Sequence, residues 1–159
     1  MGLQLGPLYI RRSTFINATP ERTWQEFASF EALRAWFGTP FLVPGGRTSH
    51  TLLEFEPRAG GSIRLSVGLD GEARCFGGRV LVCEPARELS FENNWEPPHA
   101  EPVSTFITIR LASLYGGTHV ELFHHGFERW DARAGEMLEG YESGWHPLHL
   151  EALRSIVES

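Results

Sequence analysis

The chain has 159 residues, 42% of them hydrophobic and 21% charged, with a formal net charge of −6. Such a length and composition predict one folded domain around a single core, neither two domains nor a disordered chain. The negative balance excludes a phosphate-tracking surface for nucleic acid, which needs clustered Lys and Arg, and no apolar run approaches the ~20 residues of a membrane-spanning helix.

Residues 1–7 read as an N-terminal tail without the basic and apolar segments of a secretory leader, and a single domain is expected over 8–159. A first strand runs from Leu8 to Ile16 and stops at Asn17-Ala18-Thr19-Pro20. There Thr19 is placed to cap a helix whose first position is Pro20. Trp24 and Phe27 lie on one face of that helix, with Glu21, Arg22 and Glu26 on the other. A second short helix is expected over Phe30 to Phe37, stopped by Gly38 and Pro40, and the Pro- and Gly-rich stretch from Gly38 to Thr48 reads as a loop.

From Thr51 onward, turn compositions recur at Gly60-Gly61, Asp70-Gly71, Pro85-Ala86 and Gly116-Gly117, the punctuation of an antiparallel meander. Between them apolar residues alternate: Ile63, Leu65 and Val67; Leu89, Phe91 and Trp95; Ile107, Ile109 and Leu111; Val120 and Leu122. One face of each strand is therefore expected to be buried. Gly77-Gly78 inside a strand pattern predicts a bulge or sharp bend, hence a curved sheet. The acidic, proline-rich stretch Glu96 to Glu101 reads as a solvated connection. Cys75 and Cys83 fall on one strand, separated by roughly 26 Å at ~3.3 Å per residue. That is too far for a disulfide, and a reducing cytoplasm is the expected setting.

The period changes in the last segment, Ala134 to Val157, where Leu138, Tyr141, Trp145, Leu148, Ala152 and Ile156 recur at helical spacing. This predicts one long helix with an apolar stripe, kinked near Ser143 or restarting there because Pro147 removes a backbone donor. The expected fold class is α+β. A curved antiparallel sheet of six to seven strands surrounds a long C-terminal helix, and two short helices follow the first strand.

Several segments make that order specific: Ala18-Thr19-Pro20-Glu21-Arg22-Thr23-Trp24, Trp36-Phe37-Gly38, Phe55-Glu56-Pro57-Arg58-Ala59-Gly60-Gly61, Gly77-Gly78-Arg79-Val80-Leu81, Glu84-Pro85, Gly116-Gly117-Thr118, His124-His125-Gly126-Phe127 and Gly144-Trp145. From about residue 10 to 157 the chain resembles the START-like (SRPBCC, helix-grip) superfamily. The resemblance is to the bacterial branch similar to the activator of the heat-shock protein 90 ATPase. It implies a pocket between sheet and C-terminal helix for a small hydrophobic or lipid-like molecule. Asn93 departs from the pattern, since many relatives carry an aromatic residue there.

Alternation turns His124 inward with Val120 and Leu122 and points His125 to solvent. His124 reads either as a core histidine bonded internally or as a group that orients a ligand. Asn93, inward beside Phe91 and Trp95, offers an amide either to the core or to a ligand. Trp36, Trp95, Ile107, Tyr141 and Trp145 complete the candidate ligand-binding set, against a reading as plain core packing; for Trp24 packing is expected. His146 and His149 flank Pro147 without further ligands at metal-binding spacing. No catalytic residue, metal or cofactor is assigned.

Three functions follow: a carrier or sensor of a hydrophobic molecule, a polyketide cyclase or dehydratase-like enzyme using His124 or Asn93, and a co-chaperone-like interaction module. An exposed strand edge offers a route to a homodimer.

Overall fold

The computed structural model describes residues 2–3, 8–38, 42–43, 47–48, 50–69, 71–133 and 148–159. β1 (Tyr9–Ile16) leads into α1 (Pro20–Trp24), a 3-10 turn over Gln25–Phe27 and α2 (Phe30–Phe37). Both helices start where the local chemistry dictates. The Thr19 side chain accepts from the Arg22 amide at 3.1 Å with Pro20 next in line, and Ser29 accepts from the Ala32 amide at 3.1 Å. Each cap satisfies a donor that the helix cannot pair internally. Gly38 closes α2, and a Cβ there would lie 2.1 Å from that of Leu52, so the helix end is pressed against the next strand.

Within the stretch read as a loop, β2 (Leu42–Val43) and β3 (Arg47–Thr48) pair with each other. The meander follows as β4 (Thr51–Phe55), β5 (Ser62–Leu69), β6 (Glu72–Glu84), β7 (Glu88–Trp95), β8 (Thr105–Leu114) and β9 (Gly117–His125). Gly60-Gly61, Asp70-Gly71 and Pro85-Ala86 fall between two of these strands, and Gly116 closes the turn before β9, which starts at Gly117. The seven strands make one antiparallel sheet in the order β1-β9-β8-β7-β6-β5-β4, so the first strand closes against the last. The glycine pair sits where β6 is squeezed between its neighbours. Gly77 has φ 132°, and a Cβ on it would stand 2.2 Å from the Ile63 carbonyl oxygen, a position only glycine fills. The pairing irregularity itself lies just beyond, between Val80 and Val82.

The inner face carries Leu65, Val80, Leu89, Phe91, Ile107, Ile109 and Val120, all at 0% exposure. They join Phe27, Leu33, Trp36 and Phe37 of the helical corner in one apolar cluster. α3 (Leu148–Glu158) packs on α2 and β1, and its Glu158 accepts from the Asn17 amide at 2.8 Å, tying the helix end to the end of β1. Its buried side chains are His149, Leu150, Leu153 and Val157, while Ala152 and Ile156 are half-buried. The buried arc is thus displaced by about one residue from the stripe read at Leu148, Ala152 and Ile156. A helix held between a second helix and a sheet edge buries a wider arc than one lying on a single surface. Leu138, Tyr141, Trp145 and the bend expected at Pro147 lie outside the described residues. None of the described helices is long and apolar enough to cross a membrane.

Candidate functional site

The site is built where the inner ends of β7, β8 and β9 meet. Asn93 pairs with Thr105 across β7 and β8, and His124 on β9 faces Ile107 on one side and Ile10 of β1 on the other. Alternation therefore puts Asn93, Thr105 and His124 on the inner face among apolar neighbours. All three are buried, at 4%, 1% and 0% exposure. The Thr105 hydroxyl stands 3.3 Å from the Asn93 carbonyl oxygen and 2.7 Å from His124 Nε2. The hydroxyl has one proton, given either to the carbonyl, with His124 Nε2 donating in return, or to Nε2 itself; in both arrangements the neutral imidazole is tied to Thr105. Burial first, and the neighbouring His125 second, push the His124 pKa down to about 3. A neutral imidazole so placed is a hydrogen-bonding group and a poor base at neutral pH.

The aromatic surroundings follow from the chain after β9. Gly126 takes φ 93° and lies against the Phe106 ring, turning the chain into the 3-10 segment Phe127–Arg133. Phe127 is thereby set over His124, ring centroids 4.7 Å apart, with Trp130 edge-on behind it at 5.5 Å. The Trp130 indole donates to the Val103 carbonyl at 2.9 Å. On the other side Trp95 stands edge-to-face with Phe76 at 5.3 Å. Trp95, Val67 and Val103 are only partly buried although they pack against the core, so the inner face is not fully closed at this end.

The residues singled out in the sequence divide accordingly. Asn93, Trp95, Ile107 and His124 share this region. Trp36 belongs to the helical corner instead: it is 1% exposed, packs on Phe27 and Phe37, and donates from its indole to the Glu26 carbonyl at 2.9 Å. Trp24 stacks on Phe27 at 5.0 Å, as core packing. Tyr141 and Trp145 lie outside the described residues.

His125 corrects the sequence reading. It does point to the outer face, but it is 2% exposed and bonds Thr108 Oγ1 at 2.8 Å, against the ring of Phe106. From Thr108 a chain of contacts runs to Ser90 Oγ at 3.1 Å, to Glu88 Oε2 at 2.5 Å and, through Glu88 Oε1, to Arg110 at 3.1 Å. Arg110 also donates to the Leu3 carbonyl and lies over the Phe123 ring at 5.9 Å. Burial and Arg110 push the His125 pKa down to about 4, against the pull of Glu88. Strand alternation assigns a face; it does not say that other side chains cover that face.

A second buried pair escaped the sequence altogether. His50, just before β4, stacks on His149 of α3 with centroids 4.8 Å apart and planes at 15°, and its Nε2 donates to the Phe37 carbonyl at 2.6 Å. Burial, then His149, lower the His50 pKa to about 3 against that bond. Phe76 touches both His50, at 6.0 Å, and Trp95, so an aromatic chain connects α3 to the open end of the sheet. Among the described residues no group of three or more His, Cys, Asp or Glu is placed to hold a metal ion.

No curated protein matches the chain. Solved structures do. A crystal structure of a protein from Chromobacterium violaceum is 26% identical over 97% of this chain and 99% of that one, with a TM-score of 0.64. One from Mycobacterium smegmatis is 18% identical, covering 98% and 94%, with a TM-score of 0.68. The solution structure of an Aha1 dimer from Colwellia psychrerythraea is 16% identical, covering 95% and 96%, with a TM-score of 0.59. The last two show the fold alone. The model of the family described as "Activator of Hsp90 ATPase homolog 1-like protein" matches residues 17–158, and the chain belongs to that family, within the START-like superfamily that its sequence resembles.

Proposed function

We propose that the chain binds a small hydrophobic molecule at the open end of the inner sheet face, between the sheet and its C-terminal helix. The observation that carries this reading is the half-buried Trp95. It occupies an inward position on a strand whose other inward residues, Leu89, Phe91 and Asn93, are at 0%, 0% and 4% exposure. An indole left partly uncovered beside Phe76, Val67 and Val103 is apolar surface that a ligand would remove from water, at about 25 cal/mol per Å². Pockets of this kind set a few polar groups in apolar walls, and Asn93 and His124 are such groups. Ile107 forms the floor between them, and Tyr141 and Trp145 stay in the proposed lining on the sequence pattern.

The test is native mass spectrometry of the purified chain together with a thermal-shift screen of lipids and aromatic metabolites. A ligand at a hundred times its Kd is expected to add about 2.7 kcal/mol of stability, and Trp95→Ala is expected to weaken it. No copurified mass and no stabilising compound would remove the reading.

A further inference from the structure

Asn93 and Asn94 are the same residue type, adjacent on β7, and they are used differently. Asn94 faces outward and is fully engaged: its Oδ1 accepts from the Trp95 amide at 2.8 Å and the Glu101 amide at 2.9 Å, and its Nδ2 donates to the Glu101 carbonyl at 3.0 Å. It pins the connection between β7 and β8. Asn93 faces inward at 4% exposure, and its Oδ1 is buried with no hydrogen-bond partner among the described residues. The donors nearest in the pairing are engaged elsewhere: the Thr105 hydroxyl lies against the Asn93 backbone carbonyl and His124 Nε2, and that Nε2 is directed at Thr105. A buried acceptor left unbonded costs more than an ordinary hydrogen bond returns on folding, and a leucine of similar volume would avoid that cost. The amide is therefore placed for something that arrives with a proton to give.

We infer that the molecule bound here carries a hydrogen-bond donor, an O–H or N–H on a flat apolar body, and that Asn93 Oδ1 accepts it. This rests on the reading above and narrows its ligand class from hydrophobic molecules in general to neutral donors such as phenols, alcohols and amides. Trp95 and Phe127 supply the apolar walls on either side. A carboxylate head brings only acceptors to this oxygen, so fatty-acid-like anions are disfavoured at Asn93. The neutral state of His124 is consistent with a site arranged around uncharged groups.

The probes are 2-naphthol, 2-methoxynaphthalene and 2-naphthoate, titrated by calorimetry into the full chain and into Asn93→Leu. The wild-type chain is expected to bind 2-naphthol about tenfold more tightly than the methyl ether, which keeps the ring system and loses the proton. In Asn93→Leu that ratio is expected to fall to near one while the ether still binds. The wild-type ratio stands as a test even if the variant fails to fold. Equal binding of naphthol and ether, or tightest binding of naphthoate, overturns the inference and leaves an apolar pocket standing. Binding of none of the three overturns the inference together with the pocket.

Discussion

Two polar groups lie back to back on β7, β8 and β9, and they end differently. On the outer face His125, Thr108, Ser90, Glu88 and Arg110 form a continuous chain that closes on the backbone at Leu3. On the inner face Thr105 bonds to His124 and to the Asn93 backbone carbonyl, while Asn93 Oδ1 beside them has no partner among the described residues. Closed polar circuits hold a fold together, since every member is satisfied. An open circuit in an equally buried place lowers stability without strengthening the fold, and such positions are where function is expected. The contrast separates a structural network from the proposed binding site although both use a histidine and a threonine from the same two strands.

Acidification should disturb both faces, with the largest effect. His50 and His124 have folded pKa values of about 3 against an ordinary 6.5. Above pH 6.5 they are neutral in either state and stability is at its full value. As the pH falls from there toward 3, the unfolded chain takes up protons that the folded one refuses. Stability then drops by roughly 1.4 kcal/mol per pH unit for each group. For His125 the window closes at about 4. Urea unfolding at pH 7, 6 and 5 checks this; a flat profile would mean that these rings are not held neutral. Glu88→Ala should cost about 2 kcal/mol, because it removes the carboxylate that joins the Ser90 hydroxyl to the part-buried Arg110 guanidinium in the closed circuit, read by the shift in urea midpoint.

Thr105→Val, on the inner face, is expected to cost about 2 kcal/mol, since it removes the hydroxyl that bonds the buried His124 Nε2. The smallest and most telling change is Asn93→Leu. It should raise stability by about 1 kcal/mol, measured by thermal unfolding, because it removes an acceptor that none of the described residues satisfies. Loss of stability in Asn93→Leu comparable to that in Thr105→Val would erase the distinction between the two faces.

Much of this was legible in advance for identifiable reasons. Helix starts at Thr19-Pro20 and Ser29 and turns at Gly60-Gly61 or Gly116-Gly117 depend on neighbours within a few residues, so local chemistry settles them. Period-two alternation likewise places Asn93 and His124 on the inner face. The same rule misjudges His125, because burial on the outer face depends on Thr108 and Phe106 from a neighbouring strand. It is silent on His50, whose partner His149 comes from α3, at the far end of the chain. Asn93 shows the division most sharply. Its direction is a property of the strand, whereas the lack of a partner for its oxygen among the described residues depends on how Thr105 and His124 are bonded. The starts of the first two helices, the turns of the meander and side-chain direction along its strands were thus determined by the sequence alone. Which polar groups are closed and which left open was decided only when β7, β8, β9 and the C-terminal helix came together, because a hydrogen bond forms between atoms that meet in space, not between residues that neighbour in the chain.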